Sequence, residues 1–174
     1  MRRGEVLGLR WQDIDFDRQV IRIRQQVHRA AGELHIGPVK TLAGKRDLPL
    51  IGLARVALTD RLEVQEADRL KLGSAWVDTG LVFTTRTGRP VEPRNLVRSF
   101  ARLCKRHDIR LIPVHKVRHM VATLLKALKV PPRDAQAILG HADISTTQQI
   151  YTHVDDAAQR DALTRLNKLL GGPE

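Results

Sequence analysis

Cysteine is almost missing: Cys104 stands alone among 174 residues. A single thiol excludes an internal disulfide and fits a reducing compartment. No apolar run approaches the roughly 18–20 residues that cross a bilayer. Met1-Arg2-Arg3 runs at once into amphipathic sequence, which argues against a secretory leader. Zinc motifs are lacking as well. His115 and His119 have i, i+4 spacing, but Lys116 stands where H-E-x-x-H needs glutamate, and one cysteine cannot build a thiolate site. A P-loop is excluded because six residues separate Gly37 from Gly44, and Arg46 follows Lys45 where Ser or Thr is required. No tight carboxylate cluster stands ready for a pair of Mg²⁺ ions. Repeats, linkers and low-complexity segments are absent. The expectation is a chain with no metal and no cofactor.

Negative charge is also scarce. Lys and Arg number 30 against 19 Asp and Glu, a net charge of +11. That excess favours nucleic acid as partner. The hydrophobic share of 42% argues for a folded chain. Its length is that of one domain, enough to hide roughly 70% of the surface the unfolded chain exposes.

Read in order, residues 3–9 look like the end of a helix, and Trp11 and Phe16 like core anchors in a polar turn. Val20–Val27 alternates, with Ile21 and Ile23 on one face and Arg22 and Arg24 on the other, which predicts a half-buried strand. Ala31-Gly32 offers a turn. Leu34–Val39 and Arg46–Ile51 complete a three-stranded antiparallel sheet, with Lys40 and Lys45 between the last two strands. Leu53–Leu72 predicts a helix buried through Leu53, Val56, Ala57, Val64, Ala67 and Leu70. Val82–Thr85 reads as a short strand before a turn at Thr87–Pro90. Pro93 opens a helix at a favoured position, with Cys104 on its apolar face and Arg94, Arg98 and Arg102 opposite. Those arginines repel one another unless an anion lies between them, so they face either phosphates or water.

His115–Lys129 has a clear helical period through Val117, Met120, Val121, Leu124, Leu125 and Leu128. His115 and Arg118 lie one turn apart, off that stripe. Pro131-Pro132 starts another helix, which Gly140 ends. Asp143 or Ser145 caps a short helix carrying Tyr151, and a last helix carries Leu163, Leu166, Leu169 and Leu170. The class is α+β, mainly α-helical.

With metals set aside, the chemistry left for a cluster of Arg, Lys, His and Tyr is metal-free phosphate transfer. A phosphodiester under attack gains negative charge, which fixed cationic donors must compensate. Arginine suits this because its planar fork stays charged and matches two phosphate oxygens. A nucleophile and a general acid for the leaving oxygen complete the set.

Five segments carry a resemblance: R-R-G-E-V-L-G-L-R-W-Q-D-I-D at 2–15, V-K-T-L-A-G-K-R-D-L-P-L at 39–50, H-K-V-R-H at 115–119, L-G-H at 139–141 and Y-T-H-V at 151–154. Together they resemble the catalytic domain of the tyrosine recombinases, the family of phage integrases and Xer-type enzymes. The resemblance implies that fold, and site-specific DNA strand cleavage and rejoining through a 3′-phosphotyrosine. Arg2 and Arg118 would clamp the phosphate, and His115 and His141 would serve proton transfer and hydrogen bonding to it. Lys40 would be the general acid, with Lys45 the fallback and a DNA contact, and Tyr151 the nucleophile. Double-stranded DNA is the implied partner, in a homotetramer coupled through the helix after Tyr151. The leucine stripe at 163–170 fits that docking or burial in its own core. A bacterial or phage protein at the nucleoid is expected, with residues 1–174 forming one catalytic domain. The family's N-terminal DNA-binding domain and a further helix before Arg2 are not in this sequence, so Arg2 is expected on a frayed end. Lys116-Val117 replaces the usual Asp-Leu. A DNA-binding remnant without activity and a type IB topoisomerase-like enzyme are the alternatives.

Overall fold

The computed structural model describes residues 1–143 together with 145, 147 and 151. Among these residues it is an α+β fold, with five α-helices and two small antiparallel sheets. Helix α1 (Arg3–Leu7) has only five residues, too few to persist by itself. It lies on the strand that spans Gln25–Ala30 through two glycines one turn apart. A Cβ on Gly4 would meet the Val27 carbonyl oxygen at 2.7 Å, and one on Gly8 would meet the Gln26 Cα at 2.7 Å. Only residues without a side chain permit that approach.

The alternating stretch at 20–27 does not form one strand. It divides at Arg24 into β2 (Val20–Ile23) and β3 (Gln25–Ala30), with an unexpected two-residue β1 (Ile14–Asp15) ahead of them. β3 pairs with β4 (Glu33–Pro38) in a hairpin turning at Ala31-Gly32. β2 pairs with β1 and with β5 (Arg46–Pro49). The three-stranded antiparallel sheet is therefore present with different members, in the order β1-β2-β5, and the hairpin is a sheet of its own. The cause lies in the partner. Residues 39–45 leave the ladder for a 3-10 turn at Leu42–Gly44, so the strand has no continuous neighbour across Arg24. Arg24 fills the break by donating to the carbonyl oxygens of Ile23 and Arg46.

Helix α2 (Gly52–Leu72) has the expected bounds but the opposite orientation. Leu53 and Leu70, assigned to the core, are each 82% exposed, and Val56 and Val64 are exposed too. Leu58 and Gln65 face inward instead. Residues 82–85, expected as a strand, make only isolated bridges from Leu81 and Thr84. Their carbonyls have no ladder and need donors. Arg61 donates to the Val82 carbonyl, and Gln65 donates to the Leu81 carbonyl and accepts from the Trp11 indole. Polar satisfaction of that loop decides which face α2 buries. Leu58 joins Leu9, Ile14, Ile21, Ile23, Leu50 and Val82 in the main core, with Trp11 and Phe16 packed against it as expected.

Helix α3 (Pro93–Arg106) starts at its proline and buries Cys104. Helix α4 (Val114–Ala127) buries Ala122 and leaves Val117, Met120, Val121 and Leu124 exposed, as is Leu128 just past its end. The apolar period therefore does not mark the side that faces the described fold. Helix α5 (Pro132–Leu139) packs against α4 and ends at Gly140 with φ 67° and ψ 48°. A Cβ there would meet the Arg46 Nη1 at 2.6 Å and the Ala43 carbonyl oxygen at 2.8 Å. Glycine is required both by the left-handed conformation and by that contact. The expected C-terminal leucine helix lies outside the described residues.

Candidate active site

Glu5 is 1% exposed and anchors the front of the site. From the third position of α1 it reaches back and accepts the Arg2 backbone N–H at 2.7 Å, half of a capping box. Its other oxygen accepts from Arg2 Nη1 at 2.8 Å. Arg2 Nη2 then donates to the Gly140 carbonyl at 2.8 Å. Arg2, expected on a loose end, is held at its backbone and at both terminal guanidinium nitrogens.

Arg46 reaches the same carboxylate, with Nη2 at 2.9 Å from Oε2. Burial by itself would raise the Glu5 pKa, but the hydrogen bonds from Arg46 and Arg2 outweigh it and hold it at about 2. Glu5 is thus a fixed anion, already shared between two arginines.

Arg118 projects from α4 toward the end of α5, where Nη2 donates to the Leu139 carbonyl. Its Nη1 is buried and has no acceptor among the described residues. Burial, then repulsion from Arg2 and Arg46, brings its pKa down to about 10, with Glu5 opposing in part. His115 lies in the first turn of α4, whose positive dipole end favours anions. Arg2, Arg3, His115 and Arg118 line one open cleft of about 490 Å³ with Met1, Val97, Pro113 and Val114. Among the described residues no carboxylate lines it.

His141 follows the left-handed turn at Gly140, and its Nδ1 is 2.9 Å from the Thr147 hydroxyl. Burial and the positive field of Arg118, Arg2 and Arg46 push its pKa below the ordinary histidine value. The ring is therefore neutral at pH 7. Ser145, Thr147 and Tyr151 are helical, and Asp143 accepts from the Ser145 amide at 2.9 Å. The Tyr151 hydroxyl is buried without a partner among the described residues. Burial raises its pKa, so it is a phenol and not a phenolate at rest.

Arg2, His115, Arg118 and His141 are thus drawn together, the first three around the cleft and His141 within the positive field of Arg118 and Arg2. Lys40 and Lys45 are not among the cleft-lining residues; both are exposed in the stretch before β5. Arg94, Arg98 and Arg102 share the exposed side of α3, where Arg98 bonds Asn95 and Arg102 bonds Ser99. Sequence reasoning missed Glu5, Arg46 and Thr147. Glu5 had a signal, since a carboxylate three residues after a helix start is a capping pattern. Arg46 and Thr147 had none.

The sequence profile of the phage integrase family matches residues 1–158. The chain belongs to that family. The XerC-like tyrosine recombinase of Caldanaerobacter subterraneus subsp. tengcongensis is 31% identical over 181 residues, covering 97% of this chain and 46% of the relative. The integrase of Staphylococcus phage L54a is 29% identical over 175 residues, covering 98% of this chain and 49% of its own. The chain thus spans about half the length of these family members. Among solved structures, the Tn1549 transposon integrase in complex with circular intermediate DNA superposes with a TM-score of 0.76 at 25% identity, over 95% of this chain and 56% of that one. XerA recombinase superposes with a TM-score of 0.63 at 27% identity, over 94% of this chain and 51% of that one. The integrase fold expected from the five segments is the fold found.

Proposed function

We propose that this chain is the catalytic domain of a site-specific DNA recombinase that cleaves and rejoins strands through Tyr151. The observation that carries the reading is the surplus of positive charge at the cleft. Arg2, Arg3 and Arg118 line it with no carboxylate beside them among the described residues, and Arg118 keeps a buried N–H without an acceptor among those residues. A phosphodiester supplies the missing negative charge and acceptor together. The family relatives named integrase and tyrosine recombinase support the same reading.

In this reaction the Tyr151 oxygen attacks phosphorus, the bond from phosphorus to the 5′ oxygen breaks, and a 3′-phosphotyrosine forms. Arg2 and Arg118 hold the two non-bridging oxygens as they gain charge. The phenol needs a base, because burial keeps its proton on; His141 and His115 are the groups for that transfer. Lys40 protonates the departing 5′ oxygen, with DNA bringing the loop to the cleft. The ester keeps the energy of the original bond, so a 5′ hydroxyl reverses the step with no nucleotide cofactor. The substrate is double-stranded DNA, bound by a homotetramer that assembles through the segment after Tyr151.

The test is a pool of nicked suicide duplexes of varied sequence, from which the released 5′ fragment diffuses away. The expected result is an SDS-stable adduct whose peptide carries the nucleotide on Tyr151. An adduct on another residue, or none from any duplex, refutes the reading. Relaxation of a supercoiled plasmid at comparable speed would point to topoisomerase-like use of the same chemistry.

DNA affinity gives a second check. Arg94, Arg98 and Arg102 lie along one exposed face of α3, the arrangement for tracking a phosphate backbone. Changing Arg94 and Arg98 to glutamine is expected to weaken binding equally across sequences. The slope of log K against log salt should flatten by about 0.9 for each phosphate that is no longer neutralised. An unchanged slope in a salt titration would place that face in water.

A further inference from the structure

The last turn of α5 presents three successive carbonyl groups, and each is taken by a different arginine. Arg46 Nε donates to Ile138 at 3.0 Å, Arg118 Nη2 donates to Leu139, and Arg2 Nη2 donates to Gly140 at 2.8 Å. The ends of helices leave such carbonyls without intrahelical partners and carry negative potential. Here that terminus spaces guanidinium groups. Two of the three line the cleft; Arg46 does not.

Arg46 is the most enclosed of the arginines in the salt bridges, at 8% side-chain exposure. Its Nη1 donates to the Gly44 carbonyl at 2.9 Å, and its two Nη atoms reach the Glu5 oxygens at 3.3 and 2.9 Å. One planar group therefore ties α1, the start of β5 and the end of α5 together. Gly140 has no room for a Cβ because Arg46 occupies that space. Arg46 does not line the cleft, and these partners take four of its five N–H groups, so it is not placed to act on a phosphate held there.

We propose that Arg46 is a positioning residue that sets the spacing and orientation of the Arg2–Arg118 pair, through Glu5 on one side and the α5 terminus on the other. The proposal rests on the recombinase reading for its catalytic consequence, though not for its structural one. Geometry, and not charge, is what Arg46 supplies. A lysine restores the charge but has one point donor in place of a fork, so it reaches Glu5 or Ile138 and not both.

The experiment compares wild-type protein with Arg46→Lys and Arg46→Met, the latter a near-isosteric change that keeps the packing volume. The readouts are single-turnover cleavage of a suicide duplex, Kd for the same duplex, and thermal melting to show that each variant is folded. The expectation is a cleavage loss of about 10²-fold in both variants, the scale of misplacing a catalytic group by about 1 Å. Kd should stay within about threefold, because Arg46 makes no phosphate contact of its own. A lysine variant with wild-type cleavage would overturn the proposal, and so would equal losses in Kd and in rate. An independent arm uses ¹⁵N-arginine NMR without DNA. Slow rotation of the Arg2 guanidinium is expected in wild type and faster rotation in both variants. Unchanged Arg2 rotation overturns the positioning role whatever the protein does to DNA. Absence of wild-type cleavage with altered Arg2 rotation instead counts against the recombinase reading and leaves the positioning role standing.

Discussion

Tyr151→Phe is expected to form no covalent adduct with a nicked suicide duplex, while its DNA affinity and melting temperature stay near those of the unaltered protein. Tyr151 is the single tyrosine of the chain, so no second phenol stands in. Its hydroxyl is buried and lacks a partner among the described residues. Removing a buried hydroxyl in that setting relieves a desolvation cost instead of breaking an interaction. Stability should hold or rise slightly, which separates a chemical defect from a folding one. Denaturing gels measure the adduct, and mobility shift measures binding. An adduct that persists in Tyr151→Phe would move the nucleophile to another residue.

The second large effect is expected at Arg118. Arg118→Ala should slow cleavage by about 10²–10³-fold, the range seen when one preorganised donor to a developing negative charge is removed. Arg118→Lys should recover little of that. An ammonium cannot bond the Leu139 carbonyl and a phosphate oxygen in the planar geometry that Arg118 provides. The melting temperature should change little, because two effects oppose each other. The bond to Leu139 is lost, but so is a buried charge that Arg2 and Arg46 repel. Single-turnover rates and thermal melting together test this. A rate within tenfold of wild type would remove Arg118 from the clamp.

Both residues were legible in the sequence, and for the same reason. The candidate groups on α4 and around Tyr151 have fixed spacings within short segments, and spacing survives without knowledge of packing. The helix bounds, the Gly140 stop and the proline at the start of α3 were equally local. What failed was orientation. The apolar stripe of α2 indicated the wrong inward face, because carbonyls at 81–84 pull Arg61 and Gln65 inward; that of α4 does not face the described fold, where Ala122 is the buried residue. Strand 20–27 split because its partner leaves the ladder after Pro38, a nonlocal event. Arg46 stayed hidden because its partners lie at positions 5, 44 and 138.

The two glycines beneath α1 have a consequence for how the site comes together. A five-residue helix has too few internal bonds to nucleate alone, so α1 takes shape only against a finished β3. Arg2 is therefore expected to be installed late, by hairpin closure, and to be lost early when the hairpin opens. A lesion at the far turn of β3–β4, distant from any phosphate, would register as a missing half of the clamp. Assembly order, as much as side-chain chemistry, is then expected to decide when Arg2 and Arg118 face the same cleft.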